Sequence, residues 1–322
     1  MGHSGEDRAL IDLGRWLLAT GYRFVTPTPA THARVNARQT SSEATSIEGA
    51  LGWSRPFRAG TLPAEVEELL ARAGALERCG EHLRSAVRFS TLDLEGGRAA
   101  LHVHSAHPTS GADAVFFGPD TYRFVSLLRR TVAPCERLVD VGAGTGAGGL
   151  SLRDRARAIV LADVNPVALR YARINAELAG ALGVEGVEGV EGVEVVESDV
   201  LGGVTGSIDA VIANPPYLVD DAHRVYRDGG GPLGFDLTAR IVQEAMARLS
   251  PGGRLVLYTG SPVVNGQHPL RDALAPALAA RAASVIWEEL DPDVFGEELE
   301  QCAYFNVERI ALLALVACVR QA

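Results

Sequence analysis

The chain has 322 residues, 47% of them hydrophobic and 22% charged, enough for a sizeable core and for two domains. Its formal net charge is −10 and all 30 basic residues are arginine. An acidic chain lacks the global field that draws nucleic acid, and the absence of lysine excludes a Walker lysine, a pyridoxal Schiff base and a Tyr-x-x-x-Lys dehydrogenase pair.

Residues 1–8 are polar and lack the apolar run of a signal peptide, and the apolar stretch 310–319 is too short to span a bilayer. Cys79, Cys135, Cys302 and Cys318 are scattered, with no CxxC pair, which speaks against a zinc knuckle or a disulfide framework. The expectation is a cytoplasmic protein with no membrane partner. Helices are predicted over 7–20, where Leu10, Leu13 and Leu17 recur at helical spacing, and over 63–73, where Val66, Leu69 and Leu70 do so. Pro63 suits a first helical turn and Gly74 a C-terminal stop. Residues 40–46 read as a polar loop. Residues 87–92 and 99–104 alternate like two strands around Glu95-Gly96-Gly97, a hairpin signal. Helices followed by a hairpin give a small α+β unit of winged-helix-like shape, and the chain changes character near residue 110. The reading is an N-terminal substrate-recognition domain over 1–110 and a second domain over 111–322. His102, His104 and His107 cluster in the first, but no cysteine lies near and His107 precedes a proline, so no metal is expected. Arg84, Arg88 and Arg98 read as solvated surface, and Trp53 and Phe57 as packing.

Gly118 followed by Pro119 marks a helix start, with Asp120 well placed in the first turn. Beyond it, strands predicted over 137–141, 158–162, 193–197, 210–213, 254–259, 283–288 and 310–319 alternate with helices near 147–153, 166–178, 237–249 and 270–280. This rhythm specifies a doubly wound, mostly parallel α/β sheet with helices on both faces. The triplet Gly183-Val184-Glu185 repeats in tandem through Glu194 and reads as an expanded loop before a strand.

Two motifs carry chemistry. They lie about seventy residues apart, a spacing that suits two turns at the top of one α/β sheet. The first is Leu138-Val139-Asp140-Val141-Gly142-Ala143-Gly144-Thr145-Gly146. A strand running straight into Gly142, Gly144 and Gly146 lets the backbone approach a nucleotide where any Cβ would block it, and the N-terminus of the next helix faces the ligand. Asp163 ends the following strand, about twenty residues on, where a carboxylate can accept two ribose hydroxyl bonds. Gly142, Gly144 and Ala147 also satisfy the dinucleotide pattern G-x-G-x-x-A, so this motif alone leaves NAD open.

The second motif is Asn214-Pro215-Pro216-Tyr217. An amide or aromatic amine is a poor nucleophile because its lone pair is delocalised. Asn214 can accept one N–H through its side-chain oxygen, and the carbonyl of Pro215 the other, which turns the lone pair toward an incoming methyl group. The prolines fix the backbone so that both acceptors are preorganised, and Tyr217 can stack on the planar group.

These residues resemble those of the class I S-adenosylmethionine-dependent methyltransferases, and within that class they are most similar to the release-factor glutamine N5-methyltransferases. The resemblance spans residues 115–319. It rests on the two motifs, on Ala162-Asp163-Val164-Asn165-Pro166, on Leu249-Ser250-Pro251-Gly252-Gly253, and on Arg227-Asp228-Gly229-Gly230-Gly231-Pro232-Leu233-Gly234-Phe235-Asp236, which is similar to the family's acid-Gly-Gly-x-x-Gly-Leu segment. Asp140, Asp199 and the Asn-Pro-Pro-Tyr turn fit S-adenosylmethionine as cofactor; a dehydrogenase requires none of them. The resemblance implies a Rossmann-like seven-stranded sheet with its last strand antiparallel. It implies that Asp140, Gly142, Gly144, Gly146 and Asn214 border the cofactor, that Asp163 holds the ribose, and that Asp199 sits near the adenine. Asn214 and Pro215 would bind the target nitrogen, an amide of the glutamine type in a protein partner. The rival is an exocyclic amine of an RNA or DNA base, which the net charge disfavours. A third reading is a non-catalytic cofactor-binding partner protein, against which the intact Asn214 argues. The family's Arg-Pro-Glu-Thr segment is replaced here by Gly118-Pro119-Asp120-Thr121, residues 291–308 are longer than usual, and the N-terminal region does not match the family's helical recognition domain.

Because loop length costs little in closure entropy, deleting residues 183–194 is expected to leave the melting temperature and activity nearly unchanged. A large loss of either, measured by thermal unfolding and turnover, would show that the repeat packs or binds something.

Overall fold

A computed structural model describes residues 3–94, 99–180 and 192–321 of the chain. The first helix, α1 (Gly5–Ala19), starts where the Ser4 Oγ accepts the Asp7 N–H at 3.1 Å and the Asp7 carboxylate accepts the Ser4 N–H. Such a capping box satisfies two of the helix's orphan donors. Leu10, Leu13 and Leu17 form its buried stripe, as their spacing predicts. Two further helices follow, α2 (Pro29–Asn36) and α3 (Ala64–Arg72). The sequence gives no sign of α2, because its one buried side chain is polar, His32, and no apolar periodicity marks it. A short hairpin, β1 (Leu76–Cys79) and β2 (His82–Ser85), is likewise unannounced: three of the four β1 residues are exposed. The predicted strand pair is present as β3 (Val87–Asp93) and β4 (Ala99–Ser105), antiparallel, with Val103 opposite Phe89. Its Glu95-Gly96-Gly97 turn lies outside the described residues.

Helix α4 (Pro119–Thr131) leads into the second part of the chain, where the alternation predicted from sequence is realised. In order come β5 (Cys135–Val141), α5 (Ala147–Leu150), β6 (Ala156–Asp163), α6 (Pro166–Leu178), β7 (Val193–Glu197), β8 (Ala210–Ala213), α7 (Asp236–Arg248), β9 (Arg254–Val263), α8 (Pro269–Arg281), β10 (Ala282–Asp291) and β11 (Arg309–Val319). The seven strands form one sheet in the order β10-β11-β9-β8-β5-β6-β7. All neighbours are parallel except β11, which runs antiparallel to both β9 and β10. The repeat up to residue 191 lies outside the described residues. Its end, however, is not loop: Val193 and Glu194 pair with Ile159 and Val160, so a deletion that spares the sheet must stop short of them.

Alternate residues of each central strand enter opposite cores. Val139, Val160, Val211 and Leu255 pack under α7 and α8, whereas Leu138, Ile159, Ile212 and Val256 pack under α4. The helices and hairpins before residue 106 have their own apolar cluster, and Ala168, Tyr171 and Ile174 of α6 belong to it. Gly14 permits this join, since a Cβ there would lie 2.7 Å from a methyl of Leu178. Among the described residues, no helix is long and apolar enough to cross a membrane.

Candidate active site

The chain leaves β5 toward β6 and β7 on one side, then returns to build β8 and β9 on the other. A crevice must open at the carboxyl ends of the strands flanking that reversal. Val141, the last residue of β5, pairs with Ala213, the last of β8. The glycine loop and the Asn-Pro-Pro-Tyr turn therefore start side by side at one level of the sheet. A cavity of about 850 Å³ opens above them. Its floor is lined by Asp140 and Gly142–Thr145 from the β5 turn, Asp163–Asn165 from the β6 end, Ser198–Val200 after β7, and Asn214–Leu218 after β8. Of the predicted site residues, Gly146 alone is not in that lining.

The loop's shape is fixed by its glycines. Gly142, Gly144 and Gly146 have φ of 68°, 54° and 77°, a left-handed region that costs a side-chain-bearing residue about 1 kcal/mol or more. At Gly146 a Cβ would also lie 2.8 Å from Leu161, so packing excludes it. At Gly142 a Cβ would meet nothing within 4 Å, and at Gly144 only a Val115 methyl at 3.9 Å; those two positions are open for a ligand's close approach.

Two buried carboxylates support the loop from below. Asp163 Oδ2 accepts the Gly144 N–H at 2.8 Å and Oδ1 accepts the Asn165 N–H at 2.8 Å. Burial raises its pKa against the backbone N–H groups of Asn165, Gly144 and Val164. A carboxylate can accept about four hydrogen bonds, so Asp163 keeps capacity for a pair of vicinal hydroxyls at the cavity. Asp140 Oδ2 accepts the Gly149 N–H at 2.7 Å. Its complete burial, assisted by the charge of Asp163, pushes the pKa to about 7 against that hydrogen bond. Asp199 differs from both. Its side chain is exposed at the rim and ion-paired with Arg240 of α7.

Around the second motif, Asn214 is half-buried and Pro215 buried. The Asn214 amide has no hydrogen-bond partner among the described residues. Tyr217 is 7% exposed, and its hydroxyl donates to Asp120 Oδ2 at 2.8 Å, while Tyr258 of β9 donates to Asp120 Oδ1 at 2.8 Å. Burial, then Asp120, raises the Tyr217 pKa far above its ordinary value, so it remains a neutral donor. The sequence identifies Asp120 only as a first-turn acid of α4; its two tyrosine partners are remote in the chain. The Gly118-Pro119-Asp120-Thr121 segment thus builds the support of the β8 turn.

Three more segments roof the cavity. Tyr226 stacks on Phe116 (centroids 5.8 Å apart, 15° between planes) and its hydroxyl donates to the Thr109 carbonyl at 2.8 Å. Residues 291–308, the long stretch before the last strand, fold over the β8 turn. Phe295 lies against Tyr217, the Tyr304 hydroxyl accepts the Val219 N–H at 2.8 Å, and buried Glu298 pairs with Arg227. His102 and His104 are buried against Phe117 and held neutral by burial, His102 with a pKa near 4. No group of three His, Cys, Asp or Glu side chains suited to a metal occurs among the described residues.

The model of the methyltransferase small domain family matches residues 121–281, half of the chain. Over 208 residues the chain is 34% identical to the release factor glutamine methyltransferase of Deinococcus radiodurans, covering 59% of this chain and 66% of that one. Over 286 residues it is 30% identical to the release factor glutamine methyltransferase of Moorella thermoacetica, covering 80% of this chain and 90% of that one. It is also 35% identical over 126 residues to the ribosomal RNA small subunit methyltransferase C of Chromohalobacter salexigens, covering 39% of this chain and 32% of that one. It thus spans just under two thirds of the Deinococcus protein and about a third of the Chromohalobacter one. The fold and these matches define a class I S-adenosylmethionine-dependent methyltransferase. Within that class the chain belongs to the methyltransferase small domain family, with the release factor glutamine methyltransferases among its relatives.

The Asp140 carboxyl gives a pH prediction. It titrates near 3.8 when unfolded and near 7 when folded, so the folded state binds the extra proton between those values and stability falls as pH rises through that window. Asp140→Asn keeps an acceptor for Gly149 and cannot ionise. The drop in melting temperature of the ligand-free protein between pH 5 and pH 8 should therefore be smaller in the variant than in the wild type. Equal drops would show that Asp140 ionises without cost.

Proposed function

We propose that this enzyme methylates the side-chain amide nitrogen of a glutamine in a protein. The observation that carries the reading is Asn214, an amide with no partner among the described residues, at the cavity beside Pro215 in the turn that follows the strand paired with the glycine-loop strand. The cavity suits the cofactor on three counts: open space at Gly142 and Gly144, spare acceptor capacity at Asp163, and a volume of about 850 Å³. S-adenosylmethionine supplies a methyl group already activated on a sulfonium. Asp163 would hold the ribose hydroxyls, and Gly142 and Gly144 would leave room for the cofactor's close approach. Asp140 holds the loop in shape through the Gly149 N–H, while Asp199, at the rim and paired with Arg240, would lie on the adenine side.

Asn214 Oδ1 and the Pro215 carbonyl accept the two amide N–H groups and so direct the nitrogen lone pair at the methyl carbon. The cofactor would supply its methyl group to that nitrogen and leave as the neutral thioether, and the nitrogen would shed one proton to water. Positioning supplies much of the acceleration when the donor is already activated. Tyr217, tied to Asp120, forms the wall behind the planar group.

Electrostatics favour a protein acceptor over nucleic acid. Every arginine lining the cavity is already paired: Arg123 with Asp120 and Asp291, Arg224 with Asp220, and Arg227 with Asp220 and Glu298. Asp293 and Glu297 line the mouth exposed, with no ion pair among the described residues. Phosphates would find no free cation there and two carboxylates to repel them. Residues 1–110 are assigned to acceptor selection, since residues 28–30 and 107–110 of that region reach the cavity. Methylation of an exocyclic base amine is the second reading, favoured by the likeness to the Chromohalobacter protein.

Labelled S-adenosylmethionine, offered with total protein and total RNA from a deletion strain, decides between them; label in RNA alone would overturn the protein reading. Asn214→Ala should lower turnover by roughly 10²–10³ with S-adenosylhomocysteine binding intact in calorimetry. Asp163→Ala should weaken that binding by about 1.5–3 kcal/mol, and an unchanged dissociation constant would remove Asp163 from the ribose site.

A further inference from the structure

Asn175 of α6 is 1% exposed and spends its whole amide on backbone atoms of two distant segments. Its Oδ1 accepts the Val103 N–H at 2.8 Å, and its Nδ2 donates to the Val103 carbonyl at 3.1 Å and to the Thr145 carbonyl at 2.9 Å. Val103 lies in β4, the last strand of the N-terminal region. Thr145 lies in the glycine loop between Gly144 and Gly146. One side chain thus joins the N-terminal region to the loop that borders the cavity.

The bond to Thr145 has a specific consequence. In an unbroken helix the Gly149 N–H would bond the carbonyl four residues back, which is Thr145. Here Asp140 Oδ2 takes the Gly149 N–H and Asn175 Nδ2 takes the Thr145 carbonyl. The first helical bond made runs from the Leu150 N–H to the Gly146 carbonyl at 2.9 Å, and the bond that would extend the helix one residue further back is divided between two side chains. The divided turn keeps residues 142–146 as an open loop, with the Gly144 N–H delivered to Asp163. If Asn175 releases Thr145, its carbonyl loses the amide that holds it and turns back toward the Gly149 N–H, which moves the neighbouring Gly144.

We propose that Asn175 is a positioning residue for the cofactor loop, holding Thr145 open and tying it to β4. Cofactor affinity then depends on where β4 sits, and cofactor binding in turn holds β4 in place. This inference rests on the reading that the glycine loop borders S-adenosylmethionine.

The test uses S-adenosylhomocysteine and the full chain. Asn175→Asp keeps an acceptor for Val103 and loses both donor bonds. Its dissociation constant, measured by calorimetry far below the melting temperature, should rise roughly tenfold, the order expected for one buried hydrogen bond. A purely structural asparagine would lower the melting temperature and leave the dissociation constant alone, so a value within twofold of wild type overturns the proposal. Should the variant fail to fold, hydrogen exchange in the wild type decides. Adding S-adenosylhomocysteine should slow exchange of the Val103 amide more than that of Leu83, which bonds the Phe57 carbonyl and lies outside the link. An equal or smaller gain at Val103 overturns it as well. An effect of Asp163→Ala without one of Asn175→Asp would overturn this inference alone, whereas a wild type that binds no S-adenosylhomocysteine would overturn both.

Discussion

The parallel pairing of β5 with β8, in the register that sets Val141 against Ala213, is the constraint on which the rest of the molecule depends. It joins two strands between which the chain has gone out to one edge of the sheet and come back. Nothing local brings Gly142 near Asn214; the sheet does. Slipping that register by one residue would turn every side chain of β8 to the other face, burying the Asn-Pro-Pro-Tyr turn on one side and exposing it on the other. The apolar residues Val211 and Ala213 on one face and Ala210 and Ile212 on the other hold it, each inside a different core.

On that frame the site is built at a cost. Two carboxylates are buried under one short loop, each raised in pKa and each offset by backbone N–H groups. Three residues of the same loop occupy left-handed backbone. These are local departures from what a stable core would choose, and such departures gather where a protein must keep an open shape for a ligand. Around the loop, Leu138, Val139, Ile159, Val160 and Leu161 are buried in the core that holds it in place.

Much of this was legible in the sequence, for physical reasons that differ by element. The central strands β5, β6, β8 and β9 announce themselves because parallel strands buried on both faces read as runs of Val, Ile, Leu and Ala. The glycines and the Asn-Pro-Pro-Tyr turn are legible because few residue types satisfy their backbone demands. What stayed hidden lacks such a signature. Helix α2 buries a histidine instead of an apolar stripe. Asp120 finds Tyr217 and Tyr258 only through the tertiary fold. Residues 291–308 stand out in the sequence by length alone, and their place against Tyr217 follows from packing of Phe295 and Tyr304. Asn175 sits in a helix whose pattern is read correctly, yet its three bonds reach partners remote in the chain.

The cavity's two sides have different owners. The floor comes from strand ends that belong to the sheet core. The roof comes from residues 107–116, 224–227 and 291–305, which hold one another through Tyr226 and Thr109, Phe116 and Tyr226, and Arg227 and Glu298. Few of those contacts pass through the sheet. Drift in the roof can therefore retarget the enzyme while the floor stays fixed. Divergence among duplicated copies of such a gene should accumulate in these three segments, which change together because each is the others' support.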